Sequence, residues 1–302
     1  MKAAMDDLQV MFEECGLKGR VVSIRRLQEL KEEIAGRRSG GELDEALYQE
    51  GMSFFSFLAP DSLPAAESLI VMAMPRPQTR VSFTYRGKVH PLTFSSIADT
   101  ARNAEKNLKD WLARKGYSAA SARIPRKLLA VRSGIAQYGR NNIAYVAGMG
   151  SFFQILAFFS DLPCREDTWN EMRVMDRCRD CRACLSSCPT GAITAERFLI
   201  RAERCLTFHN EKPPEHAFPA WINREWHNSL VGCMLCQQCC PENREQLDKF
   251  DGNEEFSEEE TAQILSGTTA DRLSAAARAK LERLGLLEFM AVLTRNLGAI
   301  LS

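Results

Sequence analysis

Residues 178–194 read CRDCRACLSSCPTGAIT, and this stretch sets the organisation of the whole chain. Cys178, Cys181, Cys184 and Cys188 stand in the C-x2-C-x2-C-x3-C-P spacing by which bacterial two-cluster ferredoxins hold [4Fe–4S] cubanes. Three thiolates this close together wrap one cubane. The turn that Pro189 and Gly191 favour carries the fourth thiolate past it toward a neighbouring cluster. Soft thiolates also suit zinc, but a tetrahedral zinc site needs four ligands around one ion, and this spacing offers no fourth partner.

On the C-terminal side the theme returns as GCMLCQQCCPEN, residues 232–243, with Cys233, Cys236 and Cys240 before Pro241. Cys205 is the one cysteine between the two groups. Crossed ligation then gives Cys178, Cys181, Cys184 and Cys240 to one cluster and Cys188, Cys205, Cys233 and Cys236 to the other. Cys239 could stand in for Cys240, but the proline after Cys240 and the matching Cys-Pro of the first motif favour Cys240. Cys15 and Cys164 have no partner at ligand spacing and read as small buried apolar residues. His90, His209, His216 and His227 are scattered, so structural or surface roles are expected for them.

At 302 residues with 45% hydrophobic content, the chain is long enough for one large or two ordinary domains. Lys and Arg total 39, as do Asp and Glu, so whole-chain charge gives no argument for nucleic acid or an anionic membrane. No stretch approaches the roughly 18 apolar residues of a membrane span, and the start lacks the pattern of a signal peptide. A soluble, cytoplasmic protein without a membrane partner is expected. Cysteines in that compartment are more often metal ligands than disulfides, and nine of the eleven lie from Cys178 to Cys240.

Upstream, SIRRLQELKEEIAG (23–36) and ELDEALYQEGM (42–52) are helix-like, and ESLIVMAMP (67–75) reads as a buried strand stopped by proline. Residues 75–94 show no clear period and read as loop or edge strand. Helices are expected over 96–115 and 125–133, ended by Gly116 and Gly134, and strands at NIAYVAG (142–148) and SFFQILAFFSDLP (151–163). Helices and strands mix without a βαβ period, so the fold class is α+β. The expected division is an N-terminal mixed α/β domain over 1–164, a ferredoxin-like double-cluster domain over 165–245, and an acidic linker with a C-terminal helical cap of two amphipathic helices over 246–302. The clusters need only the middle segment, so the large N-terminal domain points to a second cofactor or a substrate.

The order of motifs resembles the epoxyqueuosine reductases, corrinoid and iron–sulfur enzymes of queuosine biosynthesis in tRNA, from about Glu67 onward. AVRSGIAQYGRNN (130–142) is similar to that family's A-x-R-A-G-L-G-x-x-G-K-N, and MGSFFQILAFFSDLP (149–163) to its G-S-W-F-x-L-x-x-I-x-T-D-L-P. The upstream Cys205 and the closing LGLLEFMAVLTRNLGAIL (284–301) agree as well. The resemblance implies a corrinoid-binding type of N-terminal domain holding a base-off cobalamin, and no D-x-H-x-x-G motif is present to supply a lower cobalt ligand. It would place Gly134, Gly139, Arg140, Asn141, Asn142, Gly150 and Ser151 near the corrinoid. Turn glycines and core strand are the plain alternative for these residues.

Two departures bear on chemistry. Ala120, in AASARIP, stands where the family has an Asp that donates a proton, and Arg123 stands where that motif has proline. YRGKVHPLTFSS (85–96) replaces the family's Y-x-x-G-x-D-Y-H region. The expected function is an iron–sulfur oxidoreductase passing electrons through two clusters to cobalamin, to reduce a substrate other than epoxyqueuosine-containing tRNA, with a ferredoxin or flavodoxin as donor. One alternative is an electron-transfer protein that serves a partner, such as a corrinoid protein needing reactivation. The other is tRNA epoxyqueuosine reduction with the proton from Tyr117, Tyr138 or water. Ten Lys/Arg against two Asp/Glu between Arg102 and Arg140 form a basic stretch, read as a solvated helix face or a surface for phosphate, a corrinoid tail or an acidic donor.

Overall fold

The run SLIVMAM has no polar partner for any of its apolar side chains, and it forms the best-buried strand of the chain. A computed structural model describes residues 2–95 and 101–301. Its strands, in chain order, are β1 (Lys18–Ser23), β2 (Ser68–Pro75), β3 (Gln78–Tyr85), β4 (Lys88–Ser95), β5 (Ala119–Ser121), β6 (Ala136–Tyr138), β7 (Ala144–Val146), β8 (Phe153–Ser160) and β9 (Phe250–Phe256). Every residue of β2 except Pro75 is buried. Such a strand must lie inside a sheet with both faces covered. It does: β1-β2-β8-β5 is an antiparallel sheet with β2 between β1 and β8.

Chain contacts divide the molecule into two units, Met1–Pro75 with Thr100–Cys181, and Arg76–Asp99 with Arg182–Ser302. The first holds the four-stranded sheet and the β6-β7 hairpin. Ile70, Met72 and Met74 of β2 and Leu156 and Phe158 of β8 pack with Leu8 and Phe12 of helix Lys2–Glu14 and with Leu108, Trp111 and Leu112 of helix Ala101–Arg114. The expected helix over 96–115 is thus seen from Ala101. Residues 96–100 lie outside the described part.

The second unit begins where the sequence pattern was weakest. Residues 78–95 are a hairpin, β3 paired antiparallel with β4, whose two-residue loop Arg86-Gly87 has both φ angles positive, as a tight primed turn requires. β3 is not an edge strand, because β9 pairs with it in parallel on the other side. The stretch expected as an acidic linker therefore contains a strand. Its side chains stay mostly exposed, so no alternation of apolar residues announced it, and the long-range pairing with β3 decides it. Phe83 and Phe256 stack across that pairing with ring centroids 4.8 Å apart, in a core shared with Leu281, Leu293 and Leu297.

The two expected closing helices are Ala275–Arg283 and Met290–Leu301, and a further helix, Glu258–Leu265, lies in the stretch expected as linker. Helix Glu258–Leu265 opens with a capping box in which Ser257 and Glu260 satisfy each other's backbone N–H. The expected boundaries at 164/165 and 245/246 follow chain order. The two units do not, because hairpin 78–95 leaves its neighbours in sequence to pair with 250–256.

Candidate iron–sulfur site

The boundary between the units falls inside the first motif, after Cys181. In the second unit, helix Ala183–Ser187 ends at Cys188, whose backbone is extended (φ −81°, ψ 105°), as the following proline demands. Helix Leu235–Gln238 packs against it and repeats the device. Cys240, before Pro241, is extended (φ −76°, ψ 124°), whereas Cys239 is still helical and its thiol donates to the Cys236 carbonyl at 3.7 Å. The two Cys-Pro pairs are thus alike in backbone, and Cys239 is the odd thiol.

After Cys188 the turn Pro189-Thr190-Gly191, with Gly191 at φ +65°, aims backbone N–H groups at the sulfur. Burial pushes the Cys188 thiol up, but the Thr190 hydroxyl at 3.5 Å and the N–H groups of Ile193, Ala192 and Thr190 outweigh it, and the net shift is downward. Such a nest of donors is suited to a thiolate. Cys205, the N-cap of helix Leu206–Asn210, is pushed up by burial and by the neighbouring Cys233 against donors from Thr207 and Phe208. Cys233 is pushed up by burial and by Cys188, against the Asn228 amide and the Leu235 N–H.

Cys188 of the first motif is thus near enough to push the Cys233 thiol up, and Cys233 near enough to do the same to Cys205. Iron, when bound, supplies the positive charge that holds such thiols as thiolates. No disulfide joins any of the eleven cysteines. Among the described residues no three His, Cys, Asp or Glu side chains converge tightly enough to hold a single metal ion.

Three asparagines that sequence reading did not single out hold the Cys233 loop. Asn228 Oδ1 accepts from the Met234 N–H (3.0 Å), while its Nδ2 donates to the Trp226 carbonyl (2.8 Å) and to Cys233 Sγ (3.3 Å). Asn210 Oδ1 accepts from the Gly232 N–H (2.9 Å), and its Nδ2 donates to the Gly232 carbonyl. Asn296, fully buried on the closing helix, donates to the carbonyls of Asn210 (2.9 Å) and Leu230 (2.7 Å). A buried Asn next to a cysteine motif was the available signal, since each must spend its amide on something.

In the first unit, Gly139 to Asn142 form the turn of the β6-β7 hairpin. Arg140 donates from Nε to the Cys181 carbonyl (3.2 Å) and from Nη2 to the carbonyls of Arg179 (3.1 Å) and Cys178. Tyr138 accepts from the Met175 N–H at 2.8 Å, so the hairpin and the entry to the cysteine loop are stitched together. Asn141, buried, donates to the Tyr145 hydroxyl (2.8 Å), and Asn142, at φ 58°, accepts from Lys127 Nζ (2.8 Å) through its carbonyl. A Cβ on Gly139 would meet Asn141 and Tyr145 at 2.6 Å, and one on Gly134 would meet Asn170 at 2.7 Å. Gly150, next to Ser151, has φ 58° and bridges to Val146.

Ala120 lies in β5, opposite Phe159 of β8, with a half-buried methyl group. Tyr117 packs on the sheet's core, and burial holds the Tyr138 phenol well above the usual tyrosine range. Cys15 is exposed, its sulfur accepting from Asn107 at 3.6 Å, which corrects the expectation of a buried residue: it follows the end of helix Lys2–Glu14, outside the core. Cys164 packs against the core as expected and is pushed up to about 11 by burial. The histidines do not gather: His209 meets Trp221 edge-on and His227 tilts against Phe218.

A family model for a 4Fe-4S double cluster binding domain matches residues 177–243. The fold and this domain define an α+β iron–sulfur protein carrying two [4Fe–4S] clusters. An epoxyqueuosine reductase of Atelocyanobacterium thalassa is 26% identical over 65% of this chain and 67% of its own length, and one of Leadbetterella byssophila is 30% identical over 54% of each chain. A solved epoxyqueuosine reductase bound to an epoxyqueuosine-modified tRNA-Tyr stem loop covers 99% of this chain, and the match covers 81% of that structure, with TM-score 0.65 and 19% identity, so it shares the fold. The chain is thus similar to epoxyqueuosine reductases, and its match to these two curated relatives spans about two thirds and about half of their lengths. No single helix among the described residues is long and apolar enough to cross a membrane.

Proposed function

We propose that the chain is a reductase that passes electrons singly through its two clusters toward an acceptor held by the first unit, with a base-off cobalamin as that acceptor. The ligands are Cys178, Cys181, Cys184 and Cys240 for one cluster and Cys188, Cys205, Cys233 and Cys236 for the other. The observation that carries the reading is the Arg140 clamp: the hairpin turn that resembles the family's glycine stretch is hydrogen-bonded to the loop of Cys178 and Cys181. A group lodged along residues 134–151 would therefore lie beside the cysteine loop. A cobalamin, when bound, supplies a metal centre able to take low-potential electrons and pass them to an electrophilic substrate. The side chains of Arg140, Asn141 and Asn142 already have partners within the protein, so they would shape the wall of such a site.

The test is anaerobic purification followed by iron, sulfide and cobalt analysis with a visible spectrum. About eight irons per chain with stoichiometric cobalt is the expected result. Eight irons that stay cobalt-free after incubation with cobalamin would reject the acceptor. Ala120 supports a second reading, an electron-transfer protein without its own substrate, because a methyl group delivers no proton. The similarity to epoxyqueuosine reductases supports a third, reduction of epoxyqueuosine in tRNA. The proton would then come from Tyr117, Tyr138 or water. Restored queuosine in tRNA of a cell lacking its own reductase tests that reading. A reduced ferredoxin or flavodoxin is the proposed electron donor.

A further inference from the structure

The amide of Asn228 cannot turn over. Its Oδ1 faces a backbone N–H, that of Met234 at 3.0 Å, and its Nδ2 faces a backbone carbonyl, that of Trp226 at 2.8 Å. Flipping the group would set donor against donor and acceptor against acceptor at both contacts. The second hydrogen of Nδ2 is therefore directed at Cys233 Sγ, 3.3 Å away, by two bonds that have nothing to do with the sulfur. Neither Met234 N–H nor Trp226 C=O depends on the redox state, so the donor is in place before an electron arrives.

We propose that Asn228 is a positioning residue that sets the reduction potential of the second cluster, by a fixed N–H···S hydrogen bond to the Cys233 thiolate. When [4Fe–4S]2+ takes one electron to become [4Fe–4S]+, with no proton taken up, negative charge grows on the cluster and its thiolate sulfurs. A donor already aimed at one of those sulfurs stabilises the reduced form more than the oxidised form and raises the potential. The bond is short of water competition, because Cys233 and Asn228 are both only partly exposed. Its loss lowers the potential of one cluster and leaves the other in place.

The inference rests on Cys233 being a ligand of the second cluster. That premise fails separately, if Cys233→Ser retains every iron and both redox waves. The test is a potentiometric titration of the anaerobically purified holoprotein followed by EPR, on wild type, Asn228→Asp and Asn228→Leu. Asn228→Asp keeps the acceptor for Met234 and the shape of the side chain but has no hydrogen for the sulfur. The expected result is full iron content with one of the two midpoint potentials moved to a more negative value and the other unchanged. Two unshifted waves, or equal shifts in both, overturn the proposal. Wild-type protein carrying asparagine labelled with nitrogen-15 at Nδ2 gives a reading free of any folding defect in the variants. A nitrogen-15 hyperfine coupling on the reduced second cluster is expected, and its absence overturns the proposal.

Discussion

The loop around Cys233 and the hairpin around Arg140 spend their hydrogen bonds in opposite directions. Near Cys188, Cys205 and Cys233, backbone N–H groups, hydroxyls and the Asn228 amide point at sulfur and leave the thiolates to face one another. At Gly139 to Asn142, the polar side chains turn back into the protein and close on carbonyls, a tyrosine and a lysine. One region is built to hold something foreign to the polypeptide. The other is built to hold the polypeptide itself, and its value to function is that it fixes the cysteine loop.

Substitutions sharpen this contrast. Cys233→Ser is expected to have the largest effect, loss of about half the iron or failure to fold, read by metal analysis of anaerobic protein. Cys178→Ser should do the same for the first cluster. If either variant keeps all its iron, the division between holding and self-closing regions is broken.

Arg140→Ala removes the donor to three carbonyls of residues 178–181. It should destabilise the first unit by about 2–3 kcal/mol, since a charged donor is lost, and should speed iron loss to a chelator. An unchanged chelation rate would mean that the hairpin does not support the loop. Asn296→Leu strands two buried carbonyls and should cost about 1–3 kcal/mol in urea unfolding of the second unit.

Ser257→Ala breaks the capping box and should cost about 1 kcal/mol. The same corner gives a pH dependence. Burial opposes ionisation of Glu260, but the Lys280 ammonium at 2.7 Å and the Ser257 donors outweigh it and hold its carboxyl below the usual range. The folded pKa is the lower one, so this stabilisation is present at neutral pH and is lost as pH falls through the acid side of the glutamate range. Acid unfolding should shift to higher pH in Lys280→Met. Cys15→Ser, on an exposed thiol, should leave the iron content unchanged and move stability by no more than about 0.5 kcal/mol.

The clusters were legible because iron chemistry dictates residue type at short range: thiolates two and three residues apart followed by proline admit few other readings. β2 was legible because seven successive buried positions leave no polar face. Hairpin 78–95 and strand 250–256 were not, since β3 gains its second neighbour from 170 residues away in sequence and β9 brings an acidic, mostly exposed surface to the pairing. The clamp made by Arg140, a residue named only through the resemblance, and the role of Asn228 were hidden for a related reason. Both are ordinary polar residues whose meaning lies in which atoms they face.

By itself, then, the sequence determined that two [4Fe–4S] clusters are held and that the class is α+β, and it supplied the eight proposed ligands, because each depends on residue identity at fixed spacing. Tertiary structure alone decided that Cys188 comes near enough to push the Cys233 thiol up, that Arg140 clamps the cysteine loop, and that an asparagine amide is locked against a cysteine sulfur. Those facts depend on direction, and a hydrogen bond or a Coulomb interaction acquires direction only when distant parts of the chain have been brought to within a few ångströms of each other.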